Sequence, residues 1–525
     1  MTGRETIRLD GSAPELEDQP GGAGDLTEEL LAANEWTEAM LTAAGIPIVQ
    51  VPFVTIGAGI GSFVTMDYLR IAGVPKDQIK VLGNNDVPWS TYEYLTRNSQ
   101  IPRTERLRSD SASTPDNIWG FPSYAVREAL AGKTLKDKLF PLWNVATEPI
   151  LSNYYTPKAG QAFASMEAET KRVGYFDCLV KGLVRMVRKR RGGGYFTILT
   201  PPSGPTKRVA YQSRWVHIAV GYPGLKFLDD LQTYRTTYND YSTVVNAYEP
   251  HEGIYEDLKK KPGTVVIRGG GIVASRILQR LIDDRDRDKT GVNIVHVFRT
   301  YVTGAHGPSI FMRRRGGDGW AYQGFNYPKS VWGGQLKARM RKLEGADRAA
   351  LYKTIGGTNT PVRWSWQEQL KRGRKEGFYR TVTGEVESVV PRAGGGTTTR
   401  LKTATGIEEI AADYIIDCTG LEADIAEHRL FADLLEHSGA GRNPIGRLDV
   451  ERDFEVRGTR SGDGKLYASG TATLGGYFPG VDTFLGLQIA AQEIGDDLAR
   501  QGFGKRLGPL RSTSQWLKWA RGQEI

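Results

Sequence analysis

The chain has 525 residues, 39% of them apolar and 25% charged, with a formal net charge of +9. That is the composition of an ordinary soluble globular chain with length for roughly three domains. No apolar run approaches the ~20 residues of a membrane span, so no membrane partner is expected, and cytoplasmic residence is the default.

Cys178 and Cys418, the only cysteines, stand in no C-x-x-C spacing, which excludes a disulfide scaffold and a dithiol redox centre. The six histidines are scattered without metal-binding spacing, so no metal site is expected. Basic clusters at Arg313–Arg315, Lys337–Lys342 and Lys371–Lys375 are offset by acidic runs such as Asp283–Asp288 and carry no nucleic-acid fold signature. No nucleic-acid partner is expected.

Residues 1–25 are polar and punctuated by Gly and Pro, and read as a disordered tail without a secretory signal. From Asp25 to Leu41, helical spacing predicts one amphipathic helix packed on the first domain. Thr27 opens it with a partial capping box lacking the reciprocal Glu.

Val51-Pro-Phe-Val-Thr-Ile-Gly-Ala-Gly-Ile-Gly-Ser62 follows, a short β-branched run, a glycine turn and then Phe63, Met66, Leu69 and Ala72 at helical spacing. Strand, turn and helix in this order bind dinucleotides. Gly57 permits the tight turn and Gly59 lets backbone approach a pyrophosphate resting on the helix N–H groups. Beyond Gly61, Ser62 supplies the small third residue. After the second strand, Ile79–Gly83, an acidic residue for the adenosine ribose is expected, and the chain offers Asn84, Asn85 and Asp86 without choosing among them. Segment 87–165 is rich in aromatics (Trp89, Tyr92, Trp119, Phe121, Trp143, Tyr154, Tyr155) and reads as an irregular insertion packed against a flat ring or simply as aromatic core.

The device recurs at Thr264-Val-Val-Ile-Arg-Gly-Gly-Gly-Ile-Val-Ala-Ser-Arg276, with Gly269, Gly271 and Ala274 at the three fingerprint positions. Two such sites suit a flavin and a nicotinamide between which hydride passes. The strand after the second loop ends in Arg299, placed to donate to an adenosine 2′-phosphate, so NADPH is expected over NADH. Arg276 is the alternative contact. An internal echo links the halves. Tyr195–Thr200, Arg208–Tyr211 and Arg214–Pro223 read as two hairpin strands and a returning strand, and Glu387–Pro391, the turn at Gly394–Gly396, Thr397–Lys402 and Asp413–Gly420 repeat that order.

On both glycine loops, on Ala219-Val-Gly-Tyr-Pro223 and Asp413–Gly420, and on a closing Leu466-Tyr-Ala-Ser-Gly470, the chain resembles the two-dinucleotide-binding-domain flavoproteins. Among them it is similar to the flavin-dependent monooxygenases of N-hydroxylating and Baeyer–Villiger type. The F-x-G-x-x-x-H-x-x-x-W/Y string is absent, and Asn246–Tyr255 keeps only its His251 and aromatic.

The resemblance implies an α/β fold of two Rossmann-like domains, the NAD(P)H domain (236–420) inserted in an FAD domain (26–235 and 421–505) and followed by a C-terminal tail (506–525). It implies that Gly470 and the segment around Asp482 complete the flavin site. It further implies NADPH-driven oxygenation of a small organic substrate by molecular oxygen, through a C4a-oxygen flavin adduct. Since reduced flavin activates oxygen itself, no catalytic side chain is identified; His251 and Arg108 are the groups suited to the flavin face, with a satisfied structural role the competing and preferred reading for either. An oxygen-independent FAD dehydrogenase or reductase, or a non-catalytic nucleotide sensor or scaffold, are the alternatives.

Overall fold

The computed structural model describes residues 24–107, 111–148, 152, 155–203, 207–305, 316–322, 335–355, 363–421 and 424–525. Arg108 therefore lies outside the described residues, as does nearly all of the expected N-terminal tail. At its boundary Asp25 is already buried and ion-paired with Arg208 at 2.9 Å.

The molecule is mixed α/β and built on parallel sheets. The first is wholly parallel, with strand order 465–468, 215–218, 53–56, 79–83, 179–181. Every residue of Phe53–Ile56 and Trp215–Ile218 is buried, as strands covered by helices on both faces require. On one face Phe53 and Val81 meet Phe63, Met66 and Leu69 of helix Ile60–Ile71 together with Ala490, Ile494 and Leu498 of helix Phe484–Arg500. On the other, Val54, Ile56 and Val216 meet Leu430, Phe431 and Leu434 of helix Arg429–His437.

The second sheet takes all its strands from residues 244–417. Its order is 244–246, 414–417, 264–268, 293–298, 379–391, 397–403, 406–412, parallel through the fifth strand and antiparallel in the last two. A third sheet is the antiparallel meander 183–190, 195–200, 209–213, flanked by the short strands 35–36 and 48–50.

Several local expectations are corrected. The single helix expected over 25–41 is two, Glu28–Ala32 and Glu38–Ala43, separated by strand Glu35–Trp36. Burial of Trp36 between the meander and both helices, with its indole N–H on the Leu30 carbonyl at 2.9 Å, overrides local helix propensity. Thr27 and Thr37 cap the two pieces, each accepting from a backbone N–H three residues on. Segment 87–165 is not simply irregular but about half helical: Ser90–Asn98, Ser123–Ala131, Leu135–Thr147 and the start of Ala159–Val173. Among its aromatics Trp89 packs on Phe163 at 6.4 Å, Tyr92 reaches the cavity described below and Trp143 is exposed, while Tyr154 lies outside the described residues.

The expected tail at 506–525 contains helix Pro509–Ala520, started by proline in its first turn. Trp516 and Trp519, three apart, lie against Phe121, and Trp119 donates to the Ser512 hydroxyl at 2.8 Å. Each meander also has one strand more than expected, 183–190 in the first and 406–412 in the second.

Candidate nucleotide and active site

Both glycine loops fold as their spacing predicts. Gly57 leaves strand Phe53–Ile56 at φ +97°, and a Cβ there would lie 2.5 Å from the Ala219 carbonyl oxygen on the neighbouring strand. Only glycine accepts both that backbone and that approach. Gly59 is the N-cap of helix Ile60–Ile71, and a Cβ on it would meet nothing within 4 Å. A Cβ on Gly61 would press on Ala219 Cβ at 2.9 Å. Ser62 is fully buried, accepting from the Thr55 hydroxyl at 2.8 Å, which is the close strand–helix packing its small size was expected to serve.

Thr55 continues into a buried polar chain. Having given its proton to Ser62, the Thr55 oxygen accepts from His217 Nδ1 at 2.9 Å. His217 Nε2 then accepts from the Ser469 hydroxyl at 2.9 Å. This joins three adjacent strands beneath the loop, and burial holds the imidazole neutral, its pKa pushed down to about 3.

A cavity of about 470 Å³ opens above the first loop, within the range of small-molecule sites. Gly57 to Gly61, Asn84 and Asn85 line one end, and Ala219 to Pro223, Ser469 to Thr471 and Asp482 to Phe484 line its side. Gly470 and Asp482 thus come to the first loop as expected. Asp86 does not line the cavity. It is exposed and bound by Lys181 at 2.8 Å, which holds its carboxyl below the usual range.

Tyr92 and Leu95 of the insertion form the far wall together with Tyr248, and Ile272 and Val273 bring in the start of the second loop's helix. Tyr222, directly after Gly221, donates to Asp482 at 3.4 Å across the chamber. Glu105 and Arg106 also line it. Glu105 pairs with Arg276 and, at 3.9 Å, with Arg363, while Arg106 is held by Glu128 at 2.9 Å. Tyr92 is one of the aromatics the sequence offered for packing against a flat ring, whereas Glu105, Arg363 and Tyr222 were not singled out, although Tyr222 stands inside a motif that was.

The second loop repeats the first. Gly269 has φ +121° and a Cβ on it would lie 2.6 Å from the Cys418 carbonyl oxygen. Gly271 is the N-cap of helix Ile272–Asp288, and Ala274 is fully buried. His296 Nε2 donates to the Gly269 carbonyl at 2.6 Å while Nδ1 accepts from the Tyr379 hydroxyl at 3.1 Å, and burial pushes this imidazole down to about 4.

The two arginines considered for a 2′-phosphate differ. Arg276 is buried and engaged by Glu105, and burial lowers its pKa to about 9. Arg299 is exposed at the end of strand Asn293–Phe298, and among the described residues no ion pair engages it. His251 is buried away from the chamber. Its Nδ1 donates to the Glu249 carbonyl at 2.7 Å and its Nε2 accepts from Tyr255 at 3.0 Å, a satisfied structural role. Both cysteines are buried free thiols.

No protein-family model matches the chain, and no curated protein does. Solved structures match it over most of its length. The ornithine hydroxylase of Pseudomonas aeruginosa aligns at 16% identity and TM-score 0.60, covering 86% of this chain and 99% of its own. The ornithine N-hydroxylase of Kutzneria sp. 744, solved with reduced FAD, NADP+ and L-ornithine, aligns at 12% identity and TM-score 0.59, covering 86% and 100%. The L-lysine 6-monooxygenase of Pseudomonas syringae aligns at 14% identity and TM-score 0.59, covering 86% and 99%. At these identities the likeness is one of fold. With two strand–glycine turn–helix units on parallel sheets, the chain has the Rossmann-type flavoprotein fold of the N-hydroxylating monooxygenases.

Proposed function

We propose that the chain is an FAD-dependent, NADPH-using monooxygenase that hydroxylates an amino group of a small organic substrate with molecular oxygen. The observation that carries this is the single chamber lined by the first glycine loop, Gly57–Gly61, at one end and by Ile272 and Val273, the start of the helix that follows the second loop, at the other. The fit to a flavin rests on what added side chains would meet. Cβ atoms on Gly59 and Gly221 would point into open space within the cavity wall, whereas Gly57 beside them is walled by protein. That is a cradle kept clear for a flat ligand and its pyrophosphate. We assign residues 26–235 and 421–505 to the FAD domain and 236–420 to the NADPH domain.

Bound there, FAD reduced by NADPH would supply the oxygen activation. The protein's own part is to bind, orient and exclude water. Backbone N–H groups at the start of helix Ile60–Ile71 receive the pyrophosphate, and Asn84 or Asn85 meets the ribose. Gly470 and the Tyr222–Asp482 pair, which line the same cavity, would help to hold the cofactor. Tyr92, Leu95 and Phe484 keep the chamber apolar, which strengthens each polar contact inside it.

A visible spectrum of the purified chain, followed by NADPH with and without air, tests this reading. Flavin absorbance that bleaches anaerobically and returns with oxygen, together with a hydroxylated amine from an amine panel, is expected. Bleaching that oxygen leaves unchanged would make the chain a dehydrogenase. An absence of flavin would make it a nucleotide sensor or scaffold.

A further inference from the structure

The helical hairpin Ser123–Ala131 and Leu135–Thr147 presents an unusual surface. In the second helix Leu135, Leu139, Phe140, Leu142 and Trp143 are 74%, 56%, 53%, 43% and 59% exposed, and Leu130 at the end of the first is 79% exposed. Pro141 is the side chain of this helix that is buried. At 100° per residue, positions 135, 139, 142 and 143 fall on one stripe, on the side of the helix away from Pro141. Apolar residues that could have turned inward instead form an outward face.

Charge says what meets it. Lys133, Lys136 and Lys138 are all exposed around this stripe. The one acidic residue of the helix, Asp137, lies at about 200° from Leu135, on the side away from the stripe, and holds the capping box, accepting from the Thr134 backbone N–H at 3.0 Å while Thr134 accepts from the Asp137 N–H at 3.1 Å. A second copy of this chain would bring lysines against lysines in a two-fold contact. A helix with Leu, Phe and Trp on one face and lysines beside it is built for an anionic lipid interface, where apolar side chains enter the acyl boundary and lysines meet headgroups.

We propose that this hairpin docks the protein peripherally on anionic membrane surfaces. It lies on the surface rather than crossing: no helix among the described residues is long and apolar enough to span. The inference is independent of the chemistry proposed for the chamber.

The experiment is vesicle flotation of the full chain with phosphatidylcholine vesicles with and without phosphatidylglycerol, at low and high salt. Binding to the anionic vesicles, weakened by salt, is expected. Leu139→Glu with Trp143→Glu reduces it tenfold or more, on the order of the cost of leaving one large apolar side chain in water. Lys136→Gln with Lys138→Gln reduces it about 25-fold, from about five-fold for each lysine near a charged surface.

The lysine pair alters only exposed residues and keeps the test valid should the glutamate pair fail to fold by thermal melting. An absence of binding to either vesicle overturns the proposal, as does binding that survives both variants. A glutamate pair that changes the sedimentation state of a chain that binds no vesicle would make the face a contact between copies, which also overturns it.

Discussion

The two nucleotide units are close structural copies, and where they part is instructive. Gly59 and Gly271 cap their helices at φ −90° and −93°, and a Cβ added to Gly57 or Gly269 would lie 2.5 or 2.6 Å from a carbonyl oxygen. The meanders match as well. Gly182 and Gly384 stand where the chain leaves the parallel sheet, each with its Cβ position filled by a carbonyl oxygen, of Thr200 at 2.6 Å and of Lys402 at 2.5 Å. Two residues on, each strand shifts register, at Val184 and at Val386. Each then turns through three left-handed glycines, 192–194 and 394–396.

The difference is at the exits. Gly182 adopts φ +153° and breaks the strand, so the first meander swings away as a separate sheet, and Gly182 and Leu183 enter the cavity wall. Tyr379–Pro391 runs straight through Gly384 and extends its sheet. One hinge thus turns one copy of the unit into the wall of a chamber while the other remains an extended sheet.

The largest effects break the symmetry of the loops. Gly57→Val combines an unfavourable backbone with a clash against Ala219, and destabilises by about 3 kcal/mol or more; thermal melting should show an early transition and no bound flavin. The Cβ of Gly59→Val meets no protein atom within 4 Å, so the variant should fold with a melt close to the parent's and yet purify colourless. Equal melts for the two variants would break the distinction between a structural and a ligand-facing glycine. Gly271→Val should keep the flavin and abolish its reduction by NADPH. Loss of flavin there instead would mean that the two units are assigned the wrong way round.

Next in size is acid sensitivity. His217 and His296 are neutral when folded and take up protons on unfolding below their ordinary value of 6.5. Stability is therefore intact above that pH and falls as pH drops towards 4 and then 3, by about 1.4 kcal/mol per pH unit for each histidine. Melting temperatures between pH 7 and 4 should fall less steeply in His217→Gln, and a parallel decline in variant and parent would show that His217 carries none of it.

Arg299→Ala should remove a tenfold to hundredfold preference for NADPH over NADH, from about 1.5–3 kcal/mol for a charged hydrogen bond, read by stopped-flow flavin reduction. Smallest of all, Asp86→Ala should leave flavin content unchanged, because Asp86 is turned to Lys181 in solvent, whereas Asn84→Ala should lower it. A colourless Asp86 variant would restore that residue to the ribose.

Both glycine loops, their strands and helices, and the returning strand at 466–468 were legible in the sequence because each is local: a β-branched run, positive-φ glycines and helical spacing within about twenty residues. The split at Trp36 was not, since the partner that pulls it into a strand is Glu35–Trp36's neighbour at Lys189–Arg190. The insertion's helices were hidden by aromatic and proline residues that local reading takes for irregular structure, among them Pro141 inside Leu135–Thr147. Asp86 illustrates the limit at the site. Sequence places an acid near the ribose, but only the fold shows Lys181 reaching it first. Glu105 was invisible for the same reason, its partners Arg276 and Arg363 being brought together by tertiary contacts alone.

The strand Lys465–Ala468 has a consequence for synthesis. Strand Trp215–Ile218 pairs with it along one edge, but the ribosome delivers that edge roughly 250 residues later, on the order of ten to fifty seconds at ordinary elongation rates. During that interval the second sheet, whose strands all lie within 244–417, can complete itself while the first waits with an apolar strand edge unpaired, the kind of edge that recruits foreign strands. Nascent chains stalled between residues 420 and 460 are therefore the species in which chaperone dependence and aggregation should concentrate.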